Sequence, residues 1–120
     1  MKYTYFCVKL FNNKLMDLSQ EEWTKKLQSD NNAVVIDVRT PEEWSDGIIA
    51  NAIKIDIYRG QLFIDEISVM DKSIPYYVYC KAGGRSAQAC ALMNQLGFAH
   101  AYNLVGGIMQ WKGELADKSF

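Results

Sequence analysis

Residues 33–38 read Ala-Val-Val-Ile-Asp-Val, an unbroken and mostly β-branched run. Such a run is the mark of a strand buried on both faces, which requires covering layers above and below. The rest of the chain supplies them. Ser19 and Glu22 make a capping box, with Leu18 and Trp23 spaced as a hydrophobic staple, and predict a helix over about 20–28. Thr40-Pro41-Glu42-Glu43 is a second capping box with proline at the first helical position, opening a short helix that ends near Gly47. A strand follows at 53–55, a helix at about 62–70 and an apolar strand at 75–80. Ala89, Leu92, Met93 and Leu96 share one face of a helix over 86–96, which Gly97 stops. A last strand spans 101–105 and a last short helix 107–113. Alternating strands and helices predict an α/β fold, an open and mainly parallel sheet with helices on both faces. In such sheets, sites form beyond the carboxyl ends of the strands.

A chain of 120 residues has room for one core of normal size. Residues 16–120 read as a single domain, and residues 1–15 as an N-terminal extension or edge strand. The 13 Lys and Arg nearly balance the 14 Asp and Glu, which argues against a nucleic-acid or polybasic membrane partner. No apolar run reaches membrane-spanning length, and the first residues lack a small-residue cleavage site. Three cysteines, Cys7, Cys80 and Cys90, are an odd set without framework spacing, so a reducing, cytoplasmic setting is expected. With no Cys-x-x-Cys pair and His100 as the only histidine, neither a zinc site nor a Cys-His hydrolase is expected, and no cofactor is called for.

The stretch Tyr79-Cys80-Lys81-Ala82-Gly83-Gly84-Arg85-Ser86 carries the chemistry. Cys80 falls at the carboxyl end of a predicted buried strand, and Arg85 and Ser86 fall where a helix begins. The two glycines let backbone N–H groups turn inward, and a ring of amides at a helix N-terminus is an anion cradle. A thiolate there is stabilised, with Lys81 and Arg85 pushing the same way, so a depressed Cys80 pKa is expected. The alternative is a buried cysteine before an ordinary turn. Walker and dinucleotide-binding spacings are both absent. Asp37 and Arg39 end the buried strand, either lining the site rim or bracing loops, with Arg39 pairing Glu43. Trp111 follows the Gly106-Gly107 turn and suits either the rim or the core. Cys90 reads as core, with a resolving role toward Cys80 as the other reading.

Three segments resemble signatures of the rhodanese family: Val35 to Trp44, Val78 to Ser86 and Leu104 to Trp111. The resemblance covers about residues 18–113. It implies a single-domain sulfurtransferase with a Cys80 persulfide intermediate. Lys81 and Arg85 would attract and orient an anionic donor. Amides of Lys81, Ala82, Gly83, Gly84, Arg85 and Ser86 would hold the persulfide, and Ser86 would also cap the following helix. Thiosulfate or a persulfide would be the donor, and cyanide, a small thiol or a protein thiol the acceptor. The protein would be a monomer or weak homo-oligomer. A persulfide carrier for a protein acceptor is the alternative, and a phosphatase a weaker one. Rhodanese-fold phosphatases resemble protein tyrosine phosphatases in having five residues between Cys and Arg, whereas Lys81 to Gly84 make four here, and a shorter ring of amides suits one sulfur atom better than a phosphoryl group. One departure stands out. Where the family shows Gly-His-Ile-Pro-Gly-Ala, this chain has Gly47-Ile48-Ile49-Ala50-Asn51-Ala52, which places the turn geometry in question.

Overall fold

A computed structural model of the chain describes residues 16–116. The expected extension or edge strand over residues 1–15 lies outside the described residues. The described elements are β1 (Asp17–Leu18), α1 (Gln20–Ser29), β2 (Val34–Asp37), α2 (Pro41–Trp44), β3 (Ile48–Ile49), β4 (Ile53–Lys54), α3 (Gln61–Ser68), β5 (Pro75–Tyr79), α4 (Gly84–Gln95), β6 (His100–Leu104) and β7 (Leu115–Ala116). Single 3-10 turns occupy Ile57–Arg59 and Ile108–Gln110, the second in place of the expected last helix.

Five strands form a parallel sheet in the order β1-β6-β5-β2-β4. Both capping boxes close as the sequence predicts. The Ser19 and Thr40 hydroxyls accept the N–H groups of Glu22 and Glu43, whose carboxylates accept the Ser19 and Thr40 N–H groups. Helices cover both faces of the sheet. On one face Tyr76, Val78 and Cys80 pack with Phe63 and Ile67 of α3 and Ala89, Cys90 and Met93 of α4. On the other, Tyr77 and Tyr79 pack with Trp23 of α1. This alternation along β5 is the period-two consequence of a strand buried on both sides. Burying each large side chain of this kind contributes about 1.5–3 kcal/mol.

The chain leaves β2 for β4 on one side, then returns to lay β5 against the other side of β2 and β6 beyond it. The loops after β2 and β5 therefore diverge, opening a crevice at the carboxyl ends of these two strands. A small antiparallel pair, β3 with β7, closes one flank of that crevice. The Pro-Gly turn missing from the sequence is replaced by Asn51, at φ 67°. Asparagine is among the few residues that accept this left-handed conformation, so the chain still turns into β4.

Candidate active site

Cys80 follows directly on β5, and α4 begins four residues later at Gly84. The loop between them folds back over the sulfur. The Gly83 N–H donates to Cys80 Sγ at 3.1 Å and the Ser86 N–H at 3.4 Å, while the Ser86 hydroxyl lies 3.3 Å away. Gly83 holds φ 110°, a conformation that aims its N–H inward and that side chains rarely adopt. Cys80 is 1% exposed. Burial works against ionising its thiol, but the hydroxyl and amide of Ser86, with the Gly83 and Ala82 N–H groups, outweigh it and hold the thiol below its ordinary value. The N-terminus of α4, twelve residues long, points at the same atom. Cys90, fully buried, has no such donors among the described residues, and burial pushes its thiol up.

The helix begins two residues earlier than the sequence suggests, with Gly83 as its N-cap and no side-chain cap. Ser86 therefore does not cap it. It sits in the first turn with its hydroxyl in reach of three acceptors: Cys80 Sγ, the Gly83 carbonyl and Asn103 Oδ1. Asn103 Nδ2 donates to Asp17 Oδ1 at 2.9 Å and to the Gly83 carbonyl at 3.3 Å, which turns its Oδ1 toward Ser86. Sequence reasoning missed Asn103. Its only signal was a polar residue in the apolar strand before Gly106-Gly107. Ser86→Ala removes one donor to sulfur and spares the backbone. The apparent Cys80 pKa is expected to rise, read as a displacement of the alkylation profile toward higher pH. An unchanged profile would show that the hydroxyl proton stays on Asn103.

The third segment locks the loop from above. Ile108 and Met109 N–H groups donate to the Cys80 and Lys81 carbonyls, each at 2.9 Å. Gly107 permits this approach, because a Cβ there would lie 2.6 Å from the Cys80 carbonyl oxygen. Trp111 packs edge-on against Trp23 at 5.8 Å, and its indole N–H donates to the Glu114 carbonyl, so it lies partly buried against the Trp23 side of the core.

Asp37 and Arg39 are buried at the carboxyl end of β2. The expected pairing of Arg39 with the Glu43 carboxylate is not what forms. Arg39 binds Asp37 through Nε and Nη2, the latter at 2.7 Å, and donates to the Glu43 and Gly47 carbonyls. Arg39 thus stitches the whole α2 loop to the strand end. Tyr79 adds a hydroxyl bond to Asp37 at 2.6 Å and accepts the Ile49 N–H. The Glu43 carboxylate instead reaches across the crevice to Arg85, at 2.7 and 2.9 Å in a fork-to-fork pair. That pair lowers the Glu43 carboxyl to about 2, so it stays ionised at all ordinary pH values. Arg85 also lies over the Tyr58 ring at 5.5 Å. Lys81 is exposed, with no side-chain partner among the described residues. His100 begins β6 opposite Pro75, at the far end of the strands from Cys80.

The family model described as Rhodanese-like domain matches residues 20–114. A sulfurtransferase of Allochromatium vinosum is 32% identical over 95 residues, covering 79% of this chain and 86% of that protein. A rhodanese-like domain protein of Staphylococcus aureus superposes with a TM-score of 0.73 at 32% identity, covering 86% of this chain and 98% of its own. A tRNA uridine(34) hydroxylase of Chlamydia trachomatis is 34% identical over 112 residues, but the match spans only 34% of that larger protein. With its fold, its three segments and these relatives in agreement, the chain belongs to the rhodanese-like domain family, the family of its sulfurtransferase relatives.

Proposed function

We propose that this protein transfers a sulfane sulfur through a persulfide on Cys80. The observation that carries the reading is the cradle itself: a cysteine on a strand end, ringed by inward N–H groups and facing a helix N-terminus. The thiolate attacks the outer sulfur of thiosulfate or of an organic persulfide. A Cys80 Sγ–S bond forms, the donor's S–S bond breaks, and sulfite or a thiolate leaves with the electron pair. The N–H groups of Ala82, Gly83 and Ser86 hold negative charge on the sulfur in both forms of the enzyme. Cyanide or a thiolate then takes the outer sulfur and returns Cys80 as thiolate. Two half-reactions separated by a covalent intermediate require parallel double-reciprocal lines when donor and acceptor are varied. Converging lines would contradict the persulfide route.

The loop cations act unequally in this scheme. Lys81, exposed and without a side-chain partner among the described residues, contributes attraction. Arg85 contributes geometry, because it ties the start of α4 to the α2 loop through Glu43. Arg85→Ala also leaves the Glu43 carboxylate at the crevice without its counter-charge. Lys81→Ala is expected to raise KM by a few fold with kcat nearly kept, and Arg85→Ala to lower kcat as well, by about tenfold or more. Equal small losses at both positions would contradict this division.

A further inference from the structure

Resting on the reading of Cys80 as a sulfur-transfer centre, we propose that Glu43 is a specificity-determining residue. By occupying Arg85 it selects an organic persulfide, R–S–SH, whose R group carries no negative charge, over the thiosulfate dianion. Four observations combine. First, both terminal nitrogens of Arg85 donate to the Glu43 carboxylate in a fork-to-fork pair, and its flat face lies over Tyr58. The guanidinium that a dianionic donor would need is therefore already neutralised. Second, the other guanidinium at the crevice, that of Arg39, is buried and taken by Asp37 and two carbonyls. Third, a cleft of about 230 Å³ meets the loop at Lys81 and is walled by Glu43, Asp46, Ile108, Met109 and Leu115 among others. Two carboxylates, Glu43 and Asp46, thus line it together with two cations, Lys81 and Arg39, beside three apolar side chains. Fourth, Glu43 is fixed by more than Arg85, since the Thr40 N–H and hydroxyl also bond its Oε1, at 3.1 and 3.0 Å. The clamp is part of the capping box and does not open at the cost of one ion pair alone.

The chemistry of the preferred donor fits such a mouth. The Cys80 thiolate bonds to the outer sulfur of R–S–SH, the donor S–S bond breaks, and R–S⁻ departs. The single negative charge begins on one sulfur and ends on another. With thiosulfate, two further negative charges must approach the thiolate, and sulfite must leave with both. A neutral mouth offers no compensation, whereas apolar walls at Ile108, Met109 and Leu115 suit the hydrocarbon of R.

The test compares initial rates of Cys80 persulfide formation, by quenched intact-mass measurement, with thiosulfate and with 2-hydroxyethyl persulfide generated in situ. Glu43→Gln keeps the size and the capping geometry of the residue and removes its charge. The ratio of the thiosulfate rate to the alkyl persulfide rate is expected to rise at least about fivefold at low ionic strength, through a faster thiosulfate reaction, and to shrink again with added salt. The unsubstituted protein gives a second readout. Its thiosulfate rate should change less than about twofold between low and high salt, because its mouth carries no net positive field. A ratio that stays put, a ratio raised only by a slower alkyl persulfide reaction, or a thiosulfate rate in the unsubstituted protein that falls steeply with salt each overturns the proposal. If neither donor loads Cys80 at all, the sulfur-transfer reading itself falls, and the selection with it.

Discussion

Cys80→Ser is expected to abolish sulfur transfer, by on the order of a thousandfold or more, while leaving the fold intact. The cradle is built for charge on sulfur. Its N–H groups reach 3.1 and 3.4 Å to Sγ, and its helix N-terminus favours an anion. A serine hydroxyl remains protonated in the same place, so it neither attacks a sulfane sulfur nor carries one. The swap is nearly isosteric in a site whose surroundings stay paired, so urea unfolding should change by less than about 1 kcal/mol. Cys90→Ala should behave in the opposite way, keeping transfer and losing packing under α4. Turnover in Cys80→Ser above a hundredth of the original rate would mean that another group does the chemistry.

The largest expected effect on stability is at Asp37. Its carboxylate is fully buried and takes bonds from the Arg39 side chain, the Arg39 N–H and the Tyr79 hydroxyl. Asp37→Ala leaves a guanidinium without its counter-charge and a tyrosine hydroxyl without its acceptor, both inside the protein. Breaking a buried pair from one side costs about 3–5 kcal/mol. Against a total stability of about 5–15 kcal/mol for a domain, that is a large fraction. Chemical denaturation should show the midpoint falling accordingly. A loss below about 1 kcal/mol would show that water reaches Arg39 and that the stitch is not structural. The same substitution should also slow sulfur transfer, because Tyr79 immediately precedes Cys80 and Arg39 holds the loop that presents Glu43.

How these roles were distributed was only partly legible in the sequence. The mostly β-branched run at 33–38 and the two capping boxes announced themselves through local chemistry, and the structure forms the strand over Val34–Asp37 and both boxes. The Cys80 loop was legible for the same reason, since its glycines and helix start are neighbours in sequence. What sequence reasoning missed depends on contacts across the sheet. Arg39 and Glu43 stand four apart, which suggests a helical ion pair. But Arg39 precedes the helix at the strand end, so its guanidinium turns back to Asp37 and Glu43 is free to meet Arg85, 42 residues away. Asn103 and Ser86 likewise meet only because β6 lies beside β5. β3 and β7 are two residues each, too short to show a period, and form because the chain brings them together. The helix start at Gly84 was displaced because Gly83 caps it through backbone conformation, without the side chain that usually signals a start.

The most direct test of the account is where an added sulfur atom goes. The protein, treated with thiosulfate or an organic persulfide under non-reducing conditions, is measured intact and then as peptides. A gain of one sulfur atom is expected, carried by the peptide containing Cys80, removed by a reducing thiol and absent from Cys80→Ser. A sulfur mapped to Cys90, or no gain with either donor, would contradict it.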